Sequence, residues 1–204
     1  MIDALITSYR LKDEVRAGWQ LRGVVDPESV ADHSWGTAYL VLLHAEDAGV
    51  SRLRALEIAL VHDLAEAITG DVPTRMAGIG QAHRKEEKAR RELEAMTGLL
   101  AGYGPLEAAR VYDLWTEYEE NRSNEARFVR DMNLVDMCIQ ACVYERDRRY
   151  DPDGPNPRFP DYGRLDEFFA TAKARVQTPL GRSLLSDVAR RYEQISRKDG
   201  ADES

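Results

Sequence analysis

His62, Asp63 and Glu66 stand in an otherwise apolar stretch, Ile58-Ala-Leu-Val-His-Asp-Leu-Ala-Glu-Ala-Ile-Thr-Gly-Asp-Val-Pro-Thr74. Read as a helix, the stretch puts Glu66 four residues after His62 and three after Asp63, so the three side chains share one surface. Burying an imidazole and two carboxylates is costly unless they pair with one another or hold a metal. The plainer alternative is a solvated helix edge with one satisfied histidine, because an adjacent His-Asp pair is a weak motif by itself. Gly70 ends the helix, and Asp71 lies just beyond it, where a loop can bend back towards the same pocket.

The elements that must position these groups follow from apolar spacing. Val30-Ala-Asp-His-Ser34 opens a strongly apolar helix, with His33 at or just before its first turn. Only Ala48-Gly-Val-Ser-Arg52 separates it from the helix predicted over Leu53–Ile68, and so short a connection favours antiparallel packing. That arrangement lets His33 approach His62 and Asp63, giving two imidazoles and a carboxylate for a divalent transition metal. Between Val15 and Pro27 the chain is broken by Gly18 and Gly23 and reads as irregular. Arg16 and Trp19 stand out there, because a guanidinium suits a phosphate and an indole suits a flat base or sugar face. Ordinary surface and ordinary core are the competing assignments for those two.

The remaining spacing predicts helices throughout. A short one spans Ile2–Leu11, with Ile2, Leu5, Ile6 and Tyr9 on one face. A charge-rich surface helix follows Lys85, with Ala89, Leu93, Met96 and Leu100 on its apolar face; Lys85 is placed to reach a phosphate. Another runs from Pro105 to Glu120. Ser123 or Asn124 caps a long helix to about Tyr144, striped by Phe128, Met132, Val135, Ile139 and Cys142. Beside that stripe run Val129, Asn133, Asp136 and Gln140. Tyr150–Pro160 holds four of the eight prolines and reads as a loop. Helices over Leu165–Val176 and Pro179–Ile195 close the chain. No repeat, alternating strand or glycine-rich phosphate loop interrupts the pattern, so the expectation is an all-α, single-domain helical bundle over residues 1–196 with a frayed tail at 197–204.

A net charge of −8 argues against a nucleic-acid polymer or an anionic membrane as partner, since both reward clustered lysine and arginine. Cys138 and Cys142, one helical turn apart in an apolar segment, fit reduced thiols, and the first residues lack a basic start before an apolar core. The expected location is the cytoplasm.

Taken together, the blocks Arg16-Ala-Gly-Trp19, Val30-Ala-Asp-His-Ser34, His62-Asp-Leu-Ala-Glu66, Gly70-Asp-Val-Pro73, Lys85-Glu-Glu-Lys88, Trp115-Thr-Glu-Tyr118 and Phe128-Val-Arg-Asp131 resemble the HD-domain metal-dependent phosphohydrolases, and within them the 5'-deoxynucleotidase family. The resemblance reaches to about Glu145. It implies an HD-type bundle in which His33, His62 and Asp63 hold one divalent ion, whether Co, Mn, Fe, Ni, Zn or Mg. It further implies that Glu66 works with the attacking water and Asp71 helps place substrate or leaving group. Arg16 and Trp19 would grip the nucleotide, with Thr74 and Lys85 as further substrate contacts. Members of that family remove the phosphate from 2'-deoxynucleoside 5'-monophosphates and tend to be homodimers. This chain departs at Asn133, where the family register implies an aspartate as fourth metal ligand. Asp131 is no simple replacement, because two residues along a helix turn a side chain by about 200°. An amide oxygen still ligates but is neutral, which leaves as the alternative a nucleotide-binding HD protein with weakened or lost catalysis.

Overall fold

The computed structural model describes residues 1–72, 81–157 and 159–199, the side chains of 81–85 and 198–199 excepted, so the expectations for Thr74 and for the Lys85 side chain lie outside the described residues. Local signals start most helices. Ser29 caps α3 (Val30–His44) reciprocally, its side chain accepting from the Asp32 N–H while Asp32 accepts from the Ser29 N–H. Ser51 accepts from Arg54 N–H to open α4 (Arg52–Val61), and Ser123 accepts from Ala126 N–H to open α8 (Asn124–Arg146). Pro105 begins α7 (Pro105–Glu119), where a missing N–H costs nothing. The other elements are α1 (Ile2–Ser8), α2 (Ala17–Gln20), α5 (Glu66–Thr69), α6 (Gln81–Leu100), α9 (Asp166–Arg175) and α10 (Pro179–Asp199).

The arrangement is all-α: the described residues contain no strand, only an isolated bridge between Val15 and Ser29. Helix α8 is the hub, and α3, α4, α7, α9 and α10 all pack on it. Phe128, Val129, Met132, Val135, Cys138, Ala141 and Tyr144 are buried on nearly every side of it. Two entirely buried residues on α4, Ala55 and Ile58, join the same core. A smaller cluster of Ala65, Met96, Leu100 and Trp115 joins the residue before α5 to α6 and α7. Among the described residues no helix is long and apolar enough to cross a membrane.

Three apolar faces differ from expectation. On α6 the buried apolar residues are Ala95, Met96, Leu99 and Leu100, whereas Leu93 is exposed. Ile139 on α8 also faces outward, leaving Cys138 to fill the core beside it. Ile2, Ile6 and Tyr9 share a side of the N-terminal segment, but that side is open to solvent. Each time, apolar spacing reports a face without saying what lies opposite.

Candidate active site

His33, in the first turn of α3, and His62, at the C-terminal end of α4, meet where the two antiparallel helices cross. His62 Nε2 lies 3.1 Å from Asp63 Oδ2 and His33 Nε2 lies 3.9 Å from the same oxygen. The far nitrogen of each ring is engaged elsewhere: His62 Nδ1 bonds the Ala59 carbonyl at 2.8 Å, and His33 Nδ1 bonds Asp136 Oδ2 at 2.7 Å. That leaves His33 Nε2, His62 Nε2 and Asp63 Oδ2 buried and mutually close, with no hydrogen bond to any group outside the trio. Three such orphaned atoms are expensive in a folded protein unless something else satisfies them. Two imidazole lone pairs and a carboxylate oxygen are the donor set of a divalent transition metal, so the residues fit one. Burial and the Arg16 charge push the His33 imidazole down to about 3, which keeps it neutral. Burial would lift the Asp63 carboxyl, but His62 and then Arg16 outweigh it and hold Asp63 far below the usual range, ionised.

The helix expected to run unbroken from Leu53 to Ile68 is in fact two. Helix α4 stops at Val61, and α5 begins at Glu66. In between, Leu64, Glu66 and Ala67 N–H groups bond carbonyls three residues back, the tighter 3₁₀ pattern. Residues three apart eclipse in that geometry, which stacks Glu66 over Asp63. The Glu66 side chain is buried, its Oε2 has no partner, and Lys88 Nζ lies 3.7 Å from Oε1. Burial first, then the Asp63 and Asp71 charges, raise the Glu66 carboxyl well above its ordinary value.

Beyond Gly70, whose φ of 74° suits a residue without a side chain, the chain turns back. Asp71 N–H then donates to Glu14 Oε1 at 3.1 Å, and Asp71 Oδ2 accepts from Ala17 N–H at 2.7 Å. Arg16 Nη1 stands 3.5 Å from Asp63 Oδ2 and 3.9 Å from Asp71 Oδ1, which puts a guanidinium at the edge of the cluster. The structure therefore brings Arg16, His33, His62, Asp63, Glu66 and Asp71 together.

Asn133, expected as a fourth ligand, has a defined neighbour. Asn133 Nδ2 donates to the Tyr118 hydroxyl at 3.0 Å, and the Tyr118 ring stands edge-on to His62 with centroids 5.1 Å apart. Asp131 turns the opposite way and accepts from the Gln177 and Thr178 N–H groups at the start of α10, far from any ligand role. Asp136 sits behind His33 on Nδ1, on the side of the ring away from His62 and Asp63. Lys88 and Tyr118 were present in the quoted motifs without a role, and only the packing of α6 and α7 against α5 and α8 brings them to Glu66 and His62.

Trp19 is a correction. Expected to cover a nucleoside, it is 1% exposed, stacked on Phe168 at 4.0 Å and edge-on to Tyr144 at 5.1 Å, with Nε1 donating to Glu28 at 2.8 Å. The indole is enclosed by the core. Trp19→Ala is accordingly expected to cost about 3–5 kcal/mol of stability, read as a lowered urea midpoint; a midpoint unchanged from wild type would restore Trp19 to a ligand-facing role.

With this geometry in hand, comparison with known proteins is specific. Residues 8–155 match the HD domain family. The 5'-deoxynucleotidase hdd1 of Schizosaccharomyces pombe is 35% identical over 190 residues, spanning 91% of this chain and 87% of that protein. The 5'-deoxynucleotidase HDDC2 of Xenopus laevis is 36% identical over 171 residues, 83% of this chain and 76% of that protein. A solved structure described as a conserved hypothetical protein from Pyrococcus furiosus aligns with a TM-score of 0.70 at 30% identity, covering 93% of this chain and 99% of that one.

Proposed function

The chain belongs to the HD domain family, and on that premise we propose that it is a metal-dependent phosphohydrolase that removes the 5'-phosphate from (2'-deoxy)nucleoside 5'-monophosphates. The observation that carries the reading is the buried trio His33 Nε2, His62 Nε2 and Asp63 Oδ2, turned towards one another with no hydrogen bond outside the group, together with Glu66 Oε2, which makes none. The substrate class is supported by the names of the relatives, which are 5'-deoxynucleotidases.

In this reading His33, His62, Asp63 and the Asn133 amide oxygen hold one divalent cation. When bound, it supplies Lewis-acid polarisation of the phosphoryl group and lowers the pKa of water at the site. Glu66 takes the proton of the attacking water on Oε2, the oxygen that Lys88 leaves open; burial makes it a stronger base than an exposed glutamate. The water oxygen forms the new bond to phosphorus as the bond to the 5' oxygen breaks, and the proton that Glu66 took from the water is returned to the departing 5' alkoxide, which leaves as the alcohol. Arg16 pairs with the phosphate. Both Asp71 oxygens face donors, one the Ala17 N–H and the other Arg16, which favours Asp71 as the group that orients Arg16 over one that delivers a proton. Trp19 acts through Glu28 and the core.

The same reading includes a homodimer in the cytoplasm. Exposed Trp35, Tyr39, Leu42 and Leu43 follow one another along α3, the two rings stacked 5.5 Å apart, and a second copy would cover them; light scattering on the purified protein reads the mass. The activity is tested by stripping the protein with chelator, adding single divalent ions, and following phosphate release from deoxynucleoside mono- and triphosphates and from ribonucleotides. Ion-dependent release from deoxynucleoside monophosphates is expected. Release from triphosphates alone, or from nothing with any ion, would overturn the assignment.

A further inference from the structure

Gly36 sits in the interior of α3, where glycine costs about 1 kcal/mol relative to alanine. Its position one turn after His33 gives the reason. A methyl carbon built on Gly36 would come within 2.8 Å of Asp136 Cγ, so the bare backbone of α3 is the seat of the Asp136 carboxylate. Seated there, Asp136 Oδ2 meets His33 Nδ1 at 2.7 Å while the opposite nitrogen of the ring faces Asp63 and His62. Imidazole carries a single proton when neutral, and whichever nitrogen holds it cannot ligate.

We propose that Asp136 and Gly36 form a positioning unit for the cation site: Asp136, lodged in the space that Gly36 leaves, accepts the Nδ1–H of His33 and so holds the ring with Nε2 bare and aimed at the shared pocket. Asp136 is thus a positioning residue, not a ligand. Glu28 lies close to both groups, with its Oε1 accepting from the Trp19 indole. Partners of this kind commonly change metal affinity about 10–100-fold when removed. The inference rests on reading His33 as a ligand.

The test begins with metal-free protein labelled with ¹⁵N at its four histidines. Long-range ¹H–¹⁵N spectra are expected to show His33 with its proton on Nδ1, and Asp136→Ala to move the population towards Nε2–H. Competition titration of Co²⁺ against a chelator is then expected to give affinities about 10–100-fold weaker for Asp136→Ala, with partial recovery in Asp136→Asn, which keeps an acceptor oxygen. Gly36→Ala should lose as much as Asp136→Ala, yet should add no further loss on top of it, since the alanine at 136 leaves the space free. Circular dichroism melts check that each variant folds. A wild-type His33 protonated on Nε2 would overturn the proposal, as would a Gly36→Ala penalty of equal size in both backgrounds. If His33 holds the Nδ1–H form but wild-type protein binds no Co²⁺, the hydrolase reading fails while the Asp136 contact stands.

Discussion

Glu66→Ala is expected to lower kcat on a deoxynucleoside monophosphate by about 10²–10⁴-fold, the usual contribution of a positioned general base, while nucleotide affinity measured by calorimetry stays within a few-fold of wild type. The geometry separates the two effects. Glu66 keeps one oxygen free of hydrogen bonds and has Lys88 beside the other, whereas Arg16 pairs with Asp63 and Asp71 and not with Glu66. Glu66→Gln should fail equally, because an amide of the same size takes no proton. Since burial raises the Glu66 carboxyl, the wild-type rate should climb with pH through that raised value, and the climb should vanish in both variants. Stability moves the other way. A carboxyl whose folded pKa is raised stabilises the metal-free fold below the ordinary glutamate range and loses that contribution as pH rises through the folded value. Glu66→Ala should therefore melt higher than wild type in alkaline, metal-free buffer. A variant with near-normal kcat would remove Glu66 from the chemistry.

What could be read in advance was chemistry carried by residue type. His33, His62 and Asp63 announce themselves because buried imidazoles and carboxylates need a reason, and a short α3–α4 connection allows few ways to bring them together. Two kinds of information were not local. The first is a change of helical hand-hold: the 3₁₀ turn across residues 62–65 has no proline or glycine to mark it, and coincides with His62 Nδ1 taking the Ala59 carbonyl that an α-helical Asp63 N–H would have used. The second is which neighbour fills the space opposite a side chain. Trp19 looked equally suited to a base or to a core, and Phe168, about 150 positions away in the chain, decided it. Asp136 lay in a polar line beside the stripe of α8, yet its meaning depends on Gly36 of another helix.

The second large effect concerns Asn133, the one position where this chain parts from the expected ligand set. Asn133→Asp is expected to tighten Mn²⁺ or Co²⁺ binding by at least about tenfold, or ~1.4 kcal/mol, measured by chelator competition on stripped protein. The wild-type amide gives its N–H to the Tyr118 hydroxyl; an aspartate would accept the Tyr118 O–H in return, so the contact survives with the donor reversed and no repacking is required. What changes is charge. Asp63 is the single carboxylate of the wild-type set, and a second one brings the cation an additional full negative charge inside a pocket walled by Tyr118 and two imidazoles, where screening is poor. The same charge works against the anionic substrate. At saturating metal the KM for the nucleotide should rise, and at limiting metal the observed rate should rise because more sites are filled. This pair of opposed changes also bears on a purely nucleotide-binding protein: an intact Glu66 beside intact histidines argues that Asn133 trades metal affinity for phosphate affinity and does not abolish turnover. Equal metal affinity in the two forms would place residue 133 outside the coordination sphere and leave Tyr118 as its only partner of consequence.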